Sequence, residues 1–151
     1  MRLTVRTNLA LRILMDCAVN APRTLQAAQI ARRCNASTHH VAQVVSRLAE
    51  AGLVDTQRGR GGGVGLAVDP KALRIGSLVR LFEAALPFTE CMDALQNTCP
   101  LTHACRLRPA FCQALDSFYA DLDRLTLHDL VDGNATLAGV LALPAEVEAG
   151  G

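Results

Sequence analysis

Val41, Val44, Val45 and Leu48 stand at i, i+3, i+4 and i+7, with Ser37 before them and Gly52 after them. That spacing places four apolar side chains on one stripe of a helix. Ser37 is a favoured N-cap, and Gly52 supplies the left-handed stop that helices prefer. Directly after Gly52 the pattern changes. Leu53-Val54-Asp55-Thr56-Gln57-Arg58, a glycine-rich run from Gly59 to Gly63, and Val64-Gly65-Leu66-Ala67-Val68 predict two short strands joined by a flexible basic tip. A short amphipathic helix that runs straight into a hairpin leaves few folds open. Upstream, Leu11, Leu14, Met15 and Ala18 predict a helix over residues 7–19, ended by Asn20-Ala21-Pro22. Thr24 is the expected cap of a short helix through Arg33, with Ala27, Ile30 and Ala31 inward, and Cys34-Asn35-Ala36 is a turn. Three helices followed by a two-stranded wing outline a winged helix-turn-helix.

After Asp69-Pro70, residues 75–85 predict a fourth helix. Residues 87–105 hold Pro, Asn, Thr and three Cys, and form a loop that something must organise. Phe111, Leu115, Phe118, Leu122 and Leu125 then step by 4, 3, 4, 3. This heptad seam is too short for a free coiled coil but suits a helix that pairs with its copy. Thr126 caps a last turn through Val131, and the Ala- and Gly-rich remainder reads as a flexible tail. The expected fold is mainly α with a small β-wing, a winged helix-turn-helix plus a long C-terminal dimerisation helix. Residues 1–85 form the DNA-binding region, 86–132 the cysteine loop and dimerisation helix, and 133–151 the tail.

The net charge of +1 conceals a division: residues 1–80 carry twelve Arg and Lys against four Asp and Glu, and residues 81–151 carry three against ten. A basic front and an acidic rear point one end of the molecule at a polyanion. Aromatics make up 3% of the chain and Trp is absent, which argues against a stacking platform for single strands. Arg12 and Asp16 interrupt the apolar stretch 9–19, and the early charges at Arg2, Arg6 and Arg12 do not fit a signal peptide. A cytoplasmic protein without a membrane span is expected.

On the third helix, burial of the Val41–Leu48 stripe turns His40, Gln43 and Arg47 to the opposite face. Thr38 and His39 lie in its first turn, where a recognition helix meets base edges, and Ser37 can meet a phosphate. His39 and His40 as a metal pair is the competing reading, but adjacent helical residues diverge by about 100°. At the wing tip, Arg58 and Arg60 stand among glycines and suit a minor groove or phosphates. The glycine run has no nucleotide-binding register.

Cys91, Cys99 and Cys105 have the spacing C-x7-C-x5-C. In a reducing compartment such thiols read as metal ligands or catalysts rather than disulfides, and loop thiolates suit an iron–sulfur cluster. No C-x-x-C pair is present, so a zinc ribbon fits poorly. Cys17 and Cys34 read as structural, and Cys112 as structural or an alternative ligand. A zinc- or thiol-based regulator and a redox enzyme remain rivals, although the chain shows no paired base for catalysis, so no enzyme is expected.

Together these features resemble the Rrf2 family of bacterial winged-helix regulators, and within it the nitric-oxide-sensing branch. The resembling residues are Met1-Arg-Leu-Thr4, Leu9-Ala-Leu-Arg12, Ser37-Thr-His-His-Val41, Gly52-Leu-Val54, Arg58-Gly-Arg-Gly-Gly-Gly63, Arg74-Ile-Gly76 and Cys99-Pro-Leu-Thr-His-Ala-Cys-Arg-Leu107. The resemblance implies a homodimeric repressor of nitrosative-stress genes on an inverted-repeat operator in double-stranded DNA. It implies an iron–sulfur cluster on Cys91, Cys99 and Cys105, [4Fe–4S] in preference to [2Fe–2S], with nitric oxide as the signal. Iron- or redox-responsive members, which govern iron homeostasis or cluster assembly, are the alternative. The cluster-assembly type has His three residues after the third Cys, where this chain has Arg108. At position 8, where some nitric-oxide sensors offer an Asp from the partner, this chain has Asn8. The fourth ligand is therefore open among Asn8, Glu90, Asp93, His103 and a small molecule. Gln43 replaces a frequent Lys, and the first cysteine gap is longer than in many relatives.

Overall fold

The computed structural model describes residues 3–59 and 62–144. Its order is α1 (Val5–Asn20), α2 (Ala27–Arg33), α3 (Thr38–Glu50), β1 (Val54–Gln57), β2 (Gly63–Leu66), α4 (Ile75–Glu83), α5 (Leu107–Leu122), α6 (Leu127–Val131) and α7 (Ala135–Leu141), with one 3-10 turn at Glu90–Met92. The strands are antiparallel, with Val54 opposite Leu66 and Gln57 opposite Gly63. Among the described residues, no helix is long and apolar enough to cross a membrane.

The third helix matches its sequence reading closely: the buried residues of α3 are Val41, Val44, Val45 and Leu48. The Ser37 hydroxyl accepts from His40 N at 3.1 Å, and Gly52 has φ of +70°. Asn35, in the turn before it, also takes a left-handed conformation, which Asn tolerates better than most residues.

The first helix needs a correction. It starts at Val5, earlier than expected, because the Thr4 hydroxyl caps it by accepting from Thr7 N at 3.2 Å. Leu14 is fully buried, but Leu11, Met15 and Ala18 are only half-buried, while Leu9, Ala10, Ile13 and Cys17 lie in the core. The cause is that α1 packs against α3, α4, α6, α7 and β2, so most of its circumference is enclosed. Each such Leu or Ile contributes roughly 1.5–3 kcal/mol on burial.

A second correction concerns Thr24, which does not cap α2. The cap position is Gln26, and Gln26 N donates to Gln29 Oε1 at 3.0 Å. The residues before it serve the wing instead. Leu25 N donates to Val64 O, and Val64 N to Leu25 O, both at 2.8 Å. This third edge passes so close to β2 that a Cβ on Gly63 would lie 2.7 Å from the Leu25 carbonyl oxygen. Glycine is required there by space rather than by φ.

Gly76 has the same role between α4 and α5, since an added Cβ would overlap the Asp123 carboxylate and approach the Tyr119 carbonyl. The two helices are then locked by Arg80 Nη1 on Asp123 Oδ2 at 2.6 Å and by Arg74 Nη1 on the Asp123 carbonyl at 3.1 Å. The Thr126 hydroxyl caps α6 as expected, accepting from Asp129 N at 3.2 Å. Residues 134–144 are not a slack tail. The Asn134 side chain accepts from Leu137 N at 3.0 Å, α7 follows, and Leu141 is buried. The reason is tertiary: Leu141 finds a place in the core that the composition of the segment did not announce.

Candidate nucleic-acid interface and cysteine connector

The exposed face of α3 carries Thr38, His39, Gln43 and Arg47, with His40 half-buried at its edge. Capping uses the Ser37 oxygen as acceptor, so its hydroxyl proton remains available to a phosphate. Gln43 Nε2 lies 3.2 Å from His39 Nε2, one turn away, which aligns these two side chains as a pair. Arg47 meets Glu50 at 3.4 Å, an exposed contact of little energetic weight that leaves the guanidinium free to exchange partners. The structure therefore puts Ser37, Thr38, His39, Gln43 and Arg47 on one surface.

Arg58 is exposed at the end of β1. Arg60 lies outside the described residues. The wing is held to the helix-turn-helix by two contacts that local pattern does not reveal, the Leu25–Val64 bridge and a hydrogen bond from Gln26 Nε2 to the Gly62 carbonyl. Both depend on residues nearly forty positions apart.

Asn8 lines a cleft of about 350 Å³ with Val5, Arg12, Ser37 and His40. The cleft lies between α1 and the start of α3, and Arg12 braces its floor by donating to the Cys34 carbonyl at 3.0 Å. Position 8 is thus a neighbour of the start of α3. The N-terminus of α1 is also tied to the end of α4. Glu83 Oε1 accepts from Thr4 N at 2.8 Å, from the Thr4 hydroxyl at 2.9 Å and from the Thr7 hydroxyl. Burial alone would raise the Glu83 pKa, but these three hydrogen bonds outweigh it and hold the carboxyl below its ordinary value.

Between α4 and α5, Cys91 lies in the 3-10 turn, and Cys99 and Cys105 flank the turn at residues 100–104; all three are half-buried free thiols. Among the described residues, every hydrogen bond made within residues 88–105 closes on that same segment. Thr89 Oγ1 and Cys91 Sγ are 3.1 Å apart, and Glu90 Oε1 accepts from Thr98 N at 3.0 Å and from its hydroxyl at 2.6 Å. Cys99 N donates to Asn97 Oδ1 at 3.1 Å, and the Thr102 hydroxyl donates to the Cys99 carbonyl at 2.7 Å. Its link to the body is apolar: Phe88 meets Phe111 of α5 edge to face, with centroids 5.5 Å apart.

Among the described residues, no three His, Cys, Asp or Glu side chains converge closely enough to hold a metal ion. The donor chemistry fits a thiolate-held group, because three free thiols share one connector whose hydrogen bonds anchor it nowhere else. Of the other candidates, Glu90 is engaged by Thr98, and His103 is exposed. Cys17 and Cys34 are buried, and desolvation pushes their thiols up to about 12 and about 11, which disfavours the reactive thiolate at both. Cys112, unlike them, is exposed on α5.

The family model for Rrf2, described as an iron-dependent transcriptional regulator, matches residues 3–133. The chain is 38% identical over 144 residues to the HTH-type transcriptional regulator NsrR of Bacillus subtilis, covering 95% of this chain and 99% of that one. It is 41% identical over 133 residues to the HTH-type transcriptional repressor NsrR of Streptomyces coelicolor, covering 87% and 88%. The fold is similar to that of CymR, the global cysteine regulator of B. subtilis, with a TM-score of 0.67 and 27% identity, covering 87% of this chain and 96% of that chain.

Proposed function

This chain belongs to the Rrf2 family of transcriptional regulators, and from that premise we propose that it represses nitrosative-stress genes through an iron–sulfur cluster held by Cys91, Cys99 and Cys105. The observation that carries this reading is the connector itself. Its three half-buried thiols lie between the helix that ties to α1 and the helix α5, yet its hydrogen bonds anchor it to neither. A segment of that kind gains its order from a ligand, and ligand binding and ordering then share one free energy. The iron–sulfur cluster, when bound, supplies a reactivity toward nitric oxide that thiols alone lack; the four-iron form is preferred.

No residue of α5 is buried, although Phe111, Leu115, Phe118 and Leu122 form a continuous apolar seam. Phe118 and Leu122 already rest partly on the core and Phe111 on Phe88, and a homodimer paired along this seam would cover the area they and Leu115 still expose. The connector leads directly into α5, so ligation by the three cysteines would fix how α5 leaves the body and hence how far apart the two heads stand. Recognition helices about 34–36 Å apart would enter successive major grooves of an inverted-repeat operator. There Ser37, Thr38, His39, His40, Gln43 and Arg47 would face the major groove, with Arg58 and Arg60 beside it. Loss of cysteine ligation would release the connector and shift the population away from the spacing that fits DNA.

Oxygen-free purification of wild-type and Cys99→Ala protein, with iron and sulfide assay, tests the ligand assignment. Stoichiometric iron and sulfide in the wild type, and neither in a variant with unchanged circular dichroism, is the expected result. Full visible absorbance in Cys99→Ala would refute it.

A further inference from the structure

Residues 141–144 run along the C-terminal end of α1 and the turn that follows. The hub is Asn20, the last residue of α1 and 2% exposed. Its Nδ2 donates to the Leu141 carbonyl at 2.9 Å, and its Oδ1 accepts from Leu143 N at 2.7 Å. The same Nδ2 lies 3.0 Å from Asp16 Oδ1, and the Asp16 carboxylate in turn receives Arg33 Nε, from the end of α2, at 2.9 Å. Arg23 closes the arrangement, donating to the Pro144 carbonyl at 3.0 Å and the Leu143 carbonyl at 3.3 Å.

Two routes therefore lead from this segment to the reading surface. One passes from Asn20 through Asp16 and Arg33 to the turn that aims α3. The other passes from Arg23 to Leu25, which pairs with Val64 of the wing. At its other end the segment continues from α6, whose first residue, Leu127, donates to the Leu73 carbonyl just before α4. We propose that residues 135–144 form a strap that positions the helix-turn-helix and wing relative to α4 and α5, with Asn20 as its positioning residue. The inference rests on the DNA-binding reading above, and it is independent of the cysteine connector, which lies on the other arm from α4 to α5.

Two substitutions release the strap from opposite sides while sparing the reading surface. Leu143→Pro removes the N–H that meets Asn20, and Ala142, at φ of −59° and ψ of 134°, already has the backbone that a following proline requires. Arg23→Ala removes both guanidinium contacts. The probe is the 30-base-pair duplex that wild-type protein selects from a randomised pool. Each variant should bind that duplex on the order of tenfold more weakly, as a coupling of ordinary size would give. The slope of binding against salt should stay unchanged, because no phosphate contact is lost. Amide exchange should quicken at the end of α1 and in α2, with the iron content as in the wild type. Unchanged affinity in both variants, or a loss that equals the fall in folded fraction, would overturn the strap. If wild-type protein selects no duplex at all, the underlying DNA-binding reading falls and the strap falls with it.

Discussion

The Asp16 carboxylate and the Arg33 guanidinium meet inside the head at 2.9 Å, with the carboxylate fully buried. The pair joins α1 to the end of α2, and one guanidinium nitrogen, Arg33 Nη2, is buried without a partner. Such a pair is costly to break from one side, since the remaining charge has no compensation. Arg33→Met should cost about 3–5 kcal/mol in urea unfolding, and pairing it with Asp16→Leu should recover most of the loss. Burial raises the Asp16 pKa, with Arg33 and Asn20 offsetting part of that rise. For an acid with a raised folded pKa, stability is present below its ordinary value of 3.8 and is lost as pH rises through the folded value. Removing Arg33 strengthens this trend, so the single variant should lose more stability between acidic and neutral pH than the wild type.

Glu83 behaves with the opposite sign. Its carboxyl is held below the ordinary value of 4.5, so its contribution is present above that pH and is lost as pH falls through the lower folded value. Glu83→Gln should be less stable than the wild type at neutral pH by a few tenths to about 1 kcal/mol, given partial exposure. The gap should close in acid. Parallel urea series at neutral pH and at pH below 4.5 measure it.

Gly63→Ala tests the seating of the wing. The new methyl would press on the Leu25 carbonyl, and the strain should cost about 1–3 kcal/mol. Gly65→Ala is the control, because its Cβ would meet only the Thr24 methyl at an ordinary 3.4 Å. Thermal melts of the two variants should separate accordingly.

On the surface proposed to face DNA, Gln43→Ala and Arg58→Ala should fail in different ways. Loss of a side chain that faces bases costs about 1–3 kcal/mol at one operator position and relaxes the choice of base there. Loss of a phosphate contact weakens all sequences alike and lowers the salt slope by about one. Binding titrations over a salt series, on selected and scrambled duplexes, distinguish the two.

The elements that the sequence disclosed are those whose signals are local. α3 carried its own caps and a single apolar stripe, and α6 carried Thr126 with Asp129 three residues on, so both were legible. α1 was legible as a helix but not in its orientation, because apolar residues surround it and periodicity then selects no face. The Leu25–Val64 bridge and the Asn20 hub join residues about 40 and 120 positions apart, and nothing at either end announces the other. α7 was read as tail because its composition is Ala- and Gly-rich, whereas what holds it is the burial of Leu141. The cysteine trio could be read as a candidate ligand set from spacing and residue type alone, and among the described residues its thiols do not converge on a metal site.

The most direct test titrates nitric oxide into the oxygen-free protein while following visible absorbance and affinity for the selected duplex in one sample. A regulator governed through Cys91, Cys99 and Cys105 should lose absorbance and DNA affinity together, with Cys99→Ala starting at the low-affinity end and not responding. Affinity that stays constant while the absorbance disappears, or wild-type protein that holds no iron and still binds its duplex fully, would contradict it.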